Sequence, residues 1–377
     1  MNNGGSSMKD NKKYDLENII KNFCFNGGFV RSESYGFGHI NDTYAVYFRM
    51  QNGEMIRYIL QRINNSIFKS PEKLMENIQG VTSFLRKKII ENGGNPDRET
   101  LNLIPANDGK SFYKSDSGDF WRAYAFIEDA RTYQLVEKPE HLYNAGKAFG
   151  NFQKLLSDYP AETLYETIEN FHNTKLRYAA LIKAIEKDVV NRAKDVKQEI
   201  DFAIKRYEEV ILLVEMLEKG ELPLRVTHND TKFNNVMIDD KTGEGICVVD
   251  LDTVMPGLSL YDFGDAIRAG ANTGEEDEQD LSKVWMDINL YEQFTKGFLF
   301  SAGSSLTKTE LLHLPHAAKI MTYECGIRFL TDHLSGDTYF KIHREGHNLD
   351  RCKTQFKLVA DMEEKFKQMQ KVVSKYI

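Results

Sequence analysis

Through the first third of the chain, apolar and polar residues alternate in short runs; through the remainder they recur every three or four positions. The first period is that of half-buried strands, the second that of helices with one apolar face. Leu16–Phe23 reads as a short amphipathic helix. Phe29–Tyr35, Thr43–Arg49 and Met55–Gln61 read as strands, the last two joined by a tight turn at Asn52-Gly53. Pro71–Glu91 is the first long helical pattern, with Ser70 placed to cap it and Asn92-Gly93-Gly94 to end it. Further strands are predicted around Leu101–Ile104, Ser111–Lys114 and Phe120–Ile127. Beyond Glu128 the helical period covers His141–Asp158, Thr174–Val190, Val196–Lys219, Leu260–Ala269, Leu281–Phe300, Thr307–Leu334 and Arg351–Lys375. The pattern predicts an α+β chain, its β-rich first third joined near residues 127–130 to a mainly helical remainder, with no internal repeat.

One β segment interrupts the helices. Val236-Met237-Ile238 and Ile246-Cys247-Val248-Val249 read as two strands, and Asp239–Gly243 as the turn between them. His228, Asp230, Lys232 and Asn235 stand just before the first strand; Asp250 and Asp252 follow the second. A hairpin returns the chain on itself, so Asp250 is expected beside Asn235. Carboxylates, an amide and a lysine at one end of a ribbon suit a divalent metal and a phosphate.

Composition narrows the class. The 377 residues are enough for two lobes, and 41% hydrophobic with 28% charged residues is ordinary for a globular chain. A formal charge of −7, with no basic run, argues against nucleic acid as a partner. Cys24, Cys247, Cys325 and Cys352 are scattered without zinc spacing, which suits a reducing cytoplasm. Residues 1–13 are polar and Gly/Ser-rich, read as a disordered leader rather than a signal peptide. No window approaches the roughly 20 apolar residues of a membrane span. The acidic run Glu275–Asp280 reads most simply as a solvated loop or helix start.

The spacing His228-x-Asp230-x-Lys232-x-x-Asn235 matches the catalytic-loop pattern of kinases, in which catalysis is metal binding, positioning and care of the nucleophile's proton. Asp230 then orients the attacking hydroxyl, Lys232 reaches the transferring phosphoryl group, and Asn235 and Asp250 ligate the metal. His228 braces the loop. A metal-dependent hydrolase would want more His ligands than His228 alone. The string Asp262-Phe263-Gly264 looks like the kinase metal motif but comes 32 residues after Asp230 and heads a helix. Asp262 and Asp265 are accordingly read as loop-bracing or capping carboxylates. Between the first two strands, Gly36 and Gly38 form a G-x-G turn able to approach phosphates. The lysine expected on the third strand is missing; Gln61 or Arg62 stands near its place, and Gln61 can donate to a phosphate without bringing charge. The acidic partner on the long helix is open: Glu76 is available, but Asn77 and Gln79 face similar directions.

The stretches YGFGHINDTY, RYILQRINNSIF, FWRAYAFIE, LRVTHNDTKFNNVMID, VVDLDTVMPG, YDFGDAIR, YECGIRFLTDHLSGDTYF and HNLDRCKTQFKLV, from Tyr35 to Val359, resemble the aminoglycoside phosphotransferase and choline kinase superfamily, and within it the N-acetylhexosamine 1-kinases. The resemblance implies a protein-kinase-like two-lobed fold, with a nucleotide-binding lobe over residues 14–128 and a catalytic and substrate-binding lobe over 129–377. It implies transfer from ATP, with Mg²⁺, to the anomeric hydroxyl of N-acetylglucosamine or N-acetylgalactosamine. Asp230 would be the catalytic base. His39, Arg328 and Tyr339 would touch the sugar, and backbone groups at Phe126, Ile127 and Glu128 would meet adenine. From the residues alone, Arg328 in an otherwise apolar helix needs partners, which a sugar or a structural carboxylate would supply. Other acceptors on the same fold are choline, homoserine, methylthioribose or an aminoglycoside. A cationic one would call on Asp332 or Glu324. A non-catalytic nucleotide-binding scaffold is the third reading. Oligomeric state and the preferred hexosamine stay open.

Overall fold

A computed structural model describes residues 14–36, 40–133, 136 and 138–377. The leader expected over residues 1–13, together with Gly38 and His39, lies outside the described residues. The chain divides into two units, Met1–Asp129 and Ala130–Ile377.

In the first unit the alternating runs become an antiparallel sheet. Its strands are β1 (Gly28–Ser34), β2 (Asp42–Arg49), β3 (Met55–Ile63), β4 (Leu103–Ile104), β5 (Tyr113–Lys114) and β6 (Phe120–Ala125). They lie in the order β1-β2-β3-β6-β4, with β5 also on β6. Side chains of one parity (Tyr44, Val46, Phe48, Tyr58, Leu60, Trp121 and Ala123) form a core with Leu16, Ile19 and Ile20 of α1 (Leu16–Ile20). Emptying the fully buried Trp121 site would cost about 3–5 kcal/mol. Helix α2 (Pro71–Glu91) buries Leu74, Met75, Ile78, Val81, Leu85 and Ile89, the spacing of one face. Ser70 stands at its N-cap without a side-chain bond, so Pro71 at the first position is the start signal that operates. Gly93, at φ +76°, closes its end. The predicted helix Leu16–Phe23 is shorter because Cys24 leaves it to bond the carbonyl of Pro105. A one-turn helix, α3 (Pro96–Glu99), was not legible as a pattern.

The second unit opens with β7 (Ala130–Arg131) and α4 (Pro139–Leu155), then α5 (Thr174–Lys187). The helix expected over Val196–Lys219 is instead three short ones: α6 (Lys197–Ile204), α7 (Tyr207–Val210) and α8 (Leu212–Glu218). At the first break Arg206 forks onto Glu363 (2.9 and 2.7 Å) and covers the Phe202 ring, while Phe202 stacks on Phe356. Tertiary docking there outweighs continued helix propensity. Strands β8 (Arg225–Thr227), β9 (Val236–Asp239), β10 (Gly245–Val248) and β11 (Met255–Gly257) follow, β7 and β10 flanking β9 and β11 pairing β8. Helices α9 (Ser259–Gly270), α10 (Ile288–Ala302), α11 (Lys308–Leu334) and α12 (His347–Ser374) complete the unit.

The pattern over Leu281–Phe300 is not one helix. Asp287 caps α10 by accepting from the amides of Asn289 (2.8 Å) and Leu290 (3.1 Å), and the preceding residues run extended against Asn272 and Thr273. Helices α4 and α10 cross at glycines: a Cβ on Gly297 would stand 2.0 Å from the Tyr143 carbonyl oxygen. The acidic run is a loop with Glu275, Glu276, Gln279 and Asp280 exposed, as expected, but two of its carboxylates are tied to other elements. Glu276 faces Arg268 and Arg351 (3.5 Å each), and Asp277 bonds His347 (2.9 Å) and Arg344 (3.4 Å). Its last member, Asp280, does start a helical turn by accepting from Ser282 N. Among the described residues no helix is long and apolar enough to cross a membrane.

Candidate active site

The loop after β8 is held from below. Asp262, in the first turn of α9, accepts from the backbone amides of His228 (3.0 Å) and Asn229 (2.8 Å) and from the side-chain amide of Gln153. Its carbonyl accepts the Thr231 hydroxyl (2.6 Å), and the Asp265 carboxylate accepts the Thr231 amide (3.0 Å). Asn229 takes a left-handed φ of +63°, a conformation asparagine tolerates, and its side chain bonds the Thr253 carbonyl (2.8 Å). Burial pushes the Asp262 pKa up, against the hydrogen bonds of the two amides and Gln153. Burial also acts on Asp265, but the charges of Arg268 and Lys232 outweigh it and hold its carboxyl below the usual range. The string Asp262-Phe263-Gly264 is thus scaffolding for the loop.

His228 is fully buried. Its Nδ1 accepts from the Asp230 amide (3.3 Å), which requires that ring nitrogen to be bare, so Nε2 carries the proton and donates to the Val249 carbonyl (2.9 Å). The ring therefore ties the loop to the end of β10 rather than facing a reactant. The hairpin closes as its spacing predicts: Val248 pairs Val236, and the Val249 amide donates to the Asn235 carbonyl (2.9 Å). Asp250, the next residue, emerges beside Asn235 at a left-handed φ of +59°.

Asn235 gives its side-chain nitrogen to Asp230, bonding the backbone carbonyl at 2.8 Å and the carboxylate at 3.2 Å. The amide oxygen is thereby turned away from Asp230. An amide oxygen and a neighbouring carboxylate are hard donors of the kind Mg²⁺ takes, with substrate phosphates and waters completing its shell. The residues present fit such an ion. Among the described residues no group of three His, Cys, Asp or Glu forms an all-protein metal cage. Lys232 lies 2.8 Å from the other oxygen of Asp230, and that charge raises its pKa. Asp230, Lys232, Asn235 and Asp250 are therefore gathered at one end of the ribbon.

The first unit holds the other candidates. Gly36 has φ +80°, where a side chain would be strained. Gln61 and Arg62 point to opposite faces of the sheet. Arg62 is committed to Asp42 (2.7 Å) and Asp119 (3.2 Å), whereas Gln61 bonds Thr43 and Arg122. On α2, Asn77 is buried while Glu76 and Gln79 are exposed. Phe126 packs under the Arg57 guanidinium at 3.6 Å and edge-on to Tyr35. Ile127 is buried. The Glu128 carboxylate forks with Arg57 (2.9 and 2.7 Å), and its carbonyl accepts from Arg98 (2.6 Å).

Arg328 is half-buried on α11, its guanidinium 5.0 Å from the Phe171 ring and 5.5 Å from that of Phe340. It makes no hydrogen bond or ion pair with any described residue, so a structural salt bridge does not account for it. Glu324, one turn earlier, accepts from His172 (2.7 Å) and Thr174 (2.6 Å), one on each oxygen, and these with Arg328 hold its pKa down against burial. Asp332 accepts the amides of Thr338, Tyr339 and Phe340 and the side chain of Asn348. Tyr339 is mostly exposed on the loop so formed. Phe171 and Phe340, which bracket Arg328, have no signal in the sequence, since only packing brings them together. Arg122 had one: a lone Arg inside the apolar run Phe120–Ala125.

A loop braced by two carboxylates thus carries an aspartate and a lysine beside an asparagine and an aspartate returned by a hairpin. The chain belongs to the phosphotransferase enzyme family (APH), whose profile matches residues 38–285. Solved structures similar to it include an aminoglycoside phosphotransferase from Alicyclobacillus acidocaldarius, with TM-score 0.61 and 11% identity over 95% of each chain. A choline kinase from Cryptosporidium parvum has TM-score 0.57 and 12% identity over 96% of this chain and 99% of that one. A microcompartment-associated aminopropanol kinase has TM-score 0.56 and 13% identity, over 94% and 98%. At such identities the likeness is one of fold. That fold is α+β and protein-kinase-like, with an antiparallel N-terminal sheet and a helical C-terminal region. A subtilisin-like protease of Coccidioides posadasii is 27% identical over 142 residues, and the chain spans about a third (35%) of that curated relative's length.

Proposed function

We propose that the protein is an ATP-dependent N-acetylhexosamine 1-kinase, giving the sugar 1-phosphate and ADP. Arg328 carries this reading: a half-buried guanidinium between two aromatic rings, its donors not engaged by any described residue. Such a fork suits sugar hydroxyls or an acetamido carbonyl. A cationic acceptor such as choline or an amino alcohol would instead want a carboxylate. Glu324 and Asp332 both have their oxygens taken within the fold.

Asp230 orients the anomeric hydroxyl and accepts its proton; an anomeric hydroxyl is more acidic than an ordinary alcohol, so alignment contributes more than basicity. Lys232 leaves Asp230 for the transferring group as negative charge approaches. Asn235 Oδ1 and Asp250 would hold Mg²⁺, which when bound neutralises charge on the phosphates. Tyr339 joins Arg328 at the sugar; His39, expected there from the resemblance, lies outside the described residues. The nucleotide contacts (Gly36, Gly38, Gln61, Phe126, Ile127 and Glu128) are assigned to the first unit, and the catalytic and metal roles to the second.

The test is an ADP-release screen against N-acetylglucosamine, N-acetylgalactosamine, galactose, choline and an aminoglycoside, followed by phosphorus NMR of the product. Turnover with the N-acetylhexosamines and phosphate on the anomeric carbon are expected, and both should vanish in Asp230→Ala. Turnover with choline or the aminoglycoside alone would refute the sugar assignment.

A further inference from the structure

Near the place of the lysine expected on β3 stands Gln61, and the sheet places a charge behind it. In register across from Gln61 on β6 stands Arg122, 1% exposed. The guanidinium donates twice to Gln61 Oε1, from Nε at 2.9 Å and Nη2 at 2.8 Å, while Nη1 lies 4.0 Å from the Met75 sulfur of α2. A guanidinium has no acceptor, so these contacts fix which end of the amide faces it. The other end, Nε2, donates one hydrogen to the Thr43 hydroxyl at 2.9 Å. Its second hydrogen has no partner among the described residues, and Gln61 is half-exposed. The amide is therefore held at both ends with one donor left over.

We propose that Arg122 supplies the positive charge of the nucleotide-phosphate subsite through Gln61: the buried guanidinium orients and polarises the amide, whose remaining N–H donates to a phosphate oxygen. Gln61 is the contact residue and Arg122 its positioning residue. The geometry also explains why no lysine stands on β3. An ammonium at position 61 would sit against a buried guanidinium, and like charges that close repel strongly. The proposal rests on the kinase reading, but not on which acceptor is used.

Binding of ADP with Mg²⁺, measured by calorimetry on the full chain, separates the possibilities. Gln61→Glu keeps an acceptor for Arg122, indeed an ion pair, but removes the donor and places a negative charge before the phosphates. A merely structural pair predicts a fold as stable as wild type with unchanged binding. The proposal predicts that stable fold with binding weakened by roughly tenfold or more. Arg122→Gln and Gln61→Lys should each weaken binding, and the double variant Gln61→Lys/Arg122→Gln, with its single charge moved to β3, should recover to within about threefold of wild type. Unchanged binding in Gln61→Glu, or a double variant no better than the weaker single, overturns the proposal while leaving the kinase reading intact. A wild-type chain that binds no nucleotide overturns both.

Discussion

Asp262→Asn isolates the brace from the chemistry. The substitution keeps shape, and the remaining oxygen can still accept the Asn229 amide. The new NH₂ group, however, faces the His228 amide, donor against donor, where Asp262 Oδ2 now accepts at 3.0 Å. Gln153 can reverse its own amide to suit; a backbone N–H cannot. One buried, unsatisfied N–H costs about 1–3 kcal/mol, and loss of charge assistance on the Asn229 bond adds roughly 1. Against this, burial already disfavours the charged Asp262, so neutralising it returns part of the loss. The net expectation is about 2 kcal/mol in urea unfolding, modest beside a typical 5–15. The rate should suffer more, because Asp230 is one residue beyond the disturbed amides and a displacement of about 1 Å can cost on the order of a hundredfold. Steady-state ADP release should show kcat lowered by that order, with KM for ATP and the Mg²⁺ requirement little changed. A kcat within threefold of wild type, or one restored by raising Mg²⁺, would refute the bracing role and return Asp262 to the metal.

Asn235→Ala should raise the Mg²⁺ concentration for half-maximal activity by roughly tenfold, read from a metal titration at saturating ATP. Arg328→Leu should keep the fold and the ATP KM while raising the acceptor KM by about 10- to 100-fold, as the proposed acceptor role of its donors requires. Glu310 gives a pH prediction. Burial raises its pKa, but Arg225, the Thr307 amide and Ser259 outweigh that and leave it depressed. Its stabilisation is thus present above the ordinary Glu value of about 4.3 and lost as pH falls through the lower folded value. Urea midpoints should drop across that window in wild type and less in Glu310→Gln, which at pH 7 should be about 3 kcal/mol less stable because Arg225 is left half-paired.

Local signals carried the geometry of the central ribbon. Asn235 and Asp250 are joined by one hairpin, so strand length and turn chemistry alone bring them together, and the late position of Asp262 already pointed to the bracing bonds it makes to the amides of His228 and Asn229. Features that depend on distant strands or helices were out of reach. Gln61 was legible as a missing lysine, but its partner Arg122 appears only once β6 is known to lie beside β3, 61 residues apart. The helical period over Val196–Lys219 continued past Arg206 because nothing local announces that Glu363 will draw it aside. The partners of the acidic run were hidden for the same reason: Arg344, His347 and Arg351 arrive about seventy residues later.

The bracing of the catalytic loop also bears on the order in which the molecule can acquire activity. The amides of residues 228, 229 and 231 are fixed by Asp262 and Asp265, 33 or 34 residues further along. Until α9 has docked, the loop carries the proposed catalytic side chains without a defined backbone. Contacts of that span close late compared with helix formation, which is local and fast. A refolding chain should therefore regain its far-ultraviolet helical signal before it regains turnover, and the lag between them times the seating of one helix.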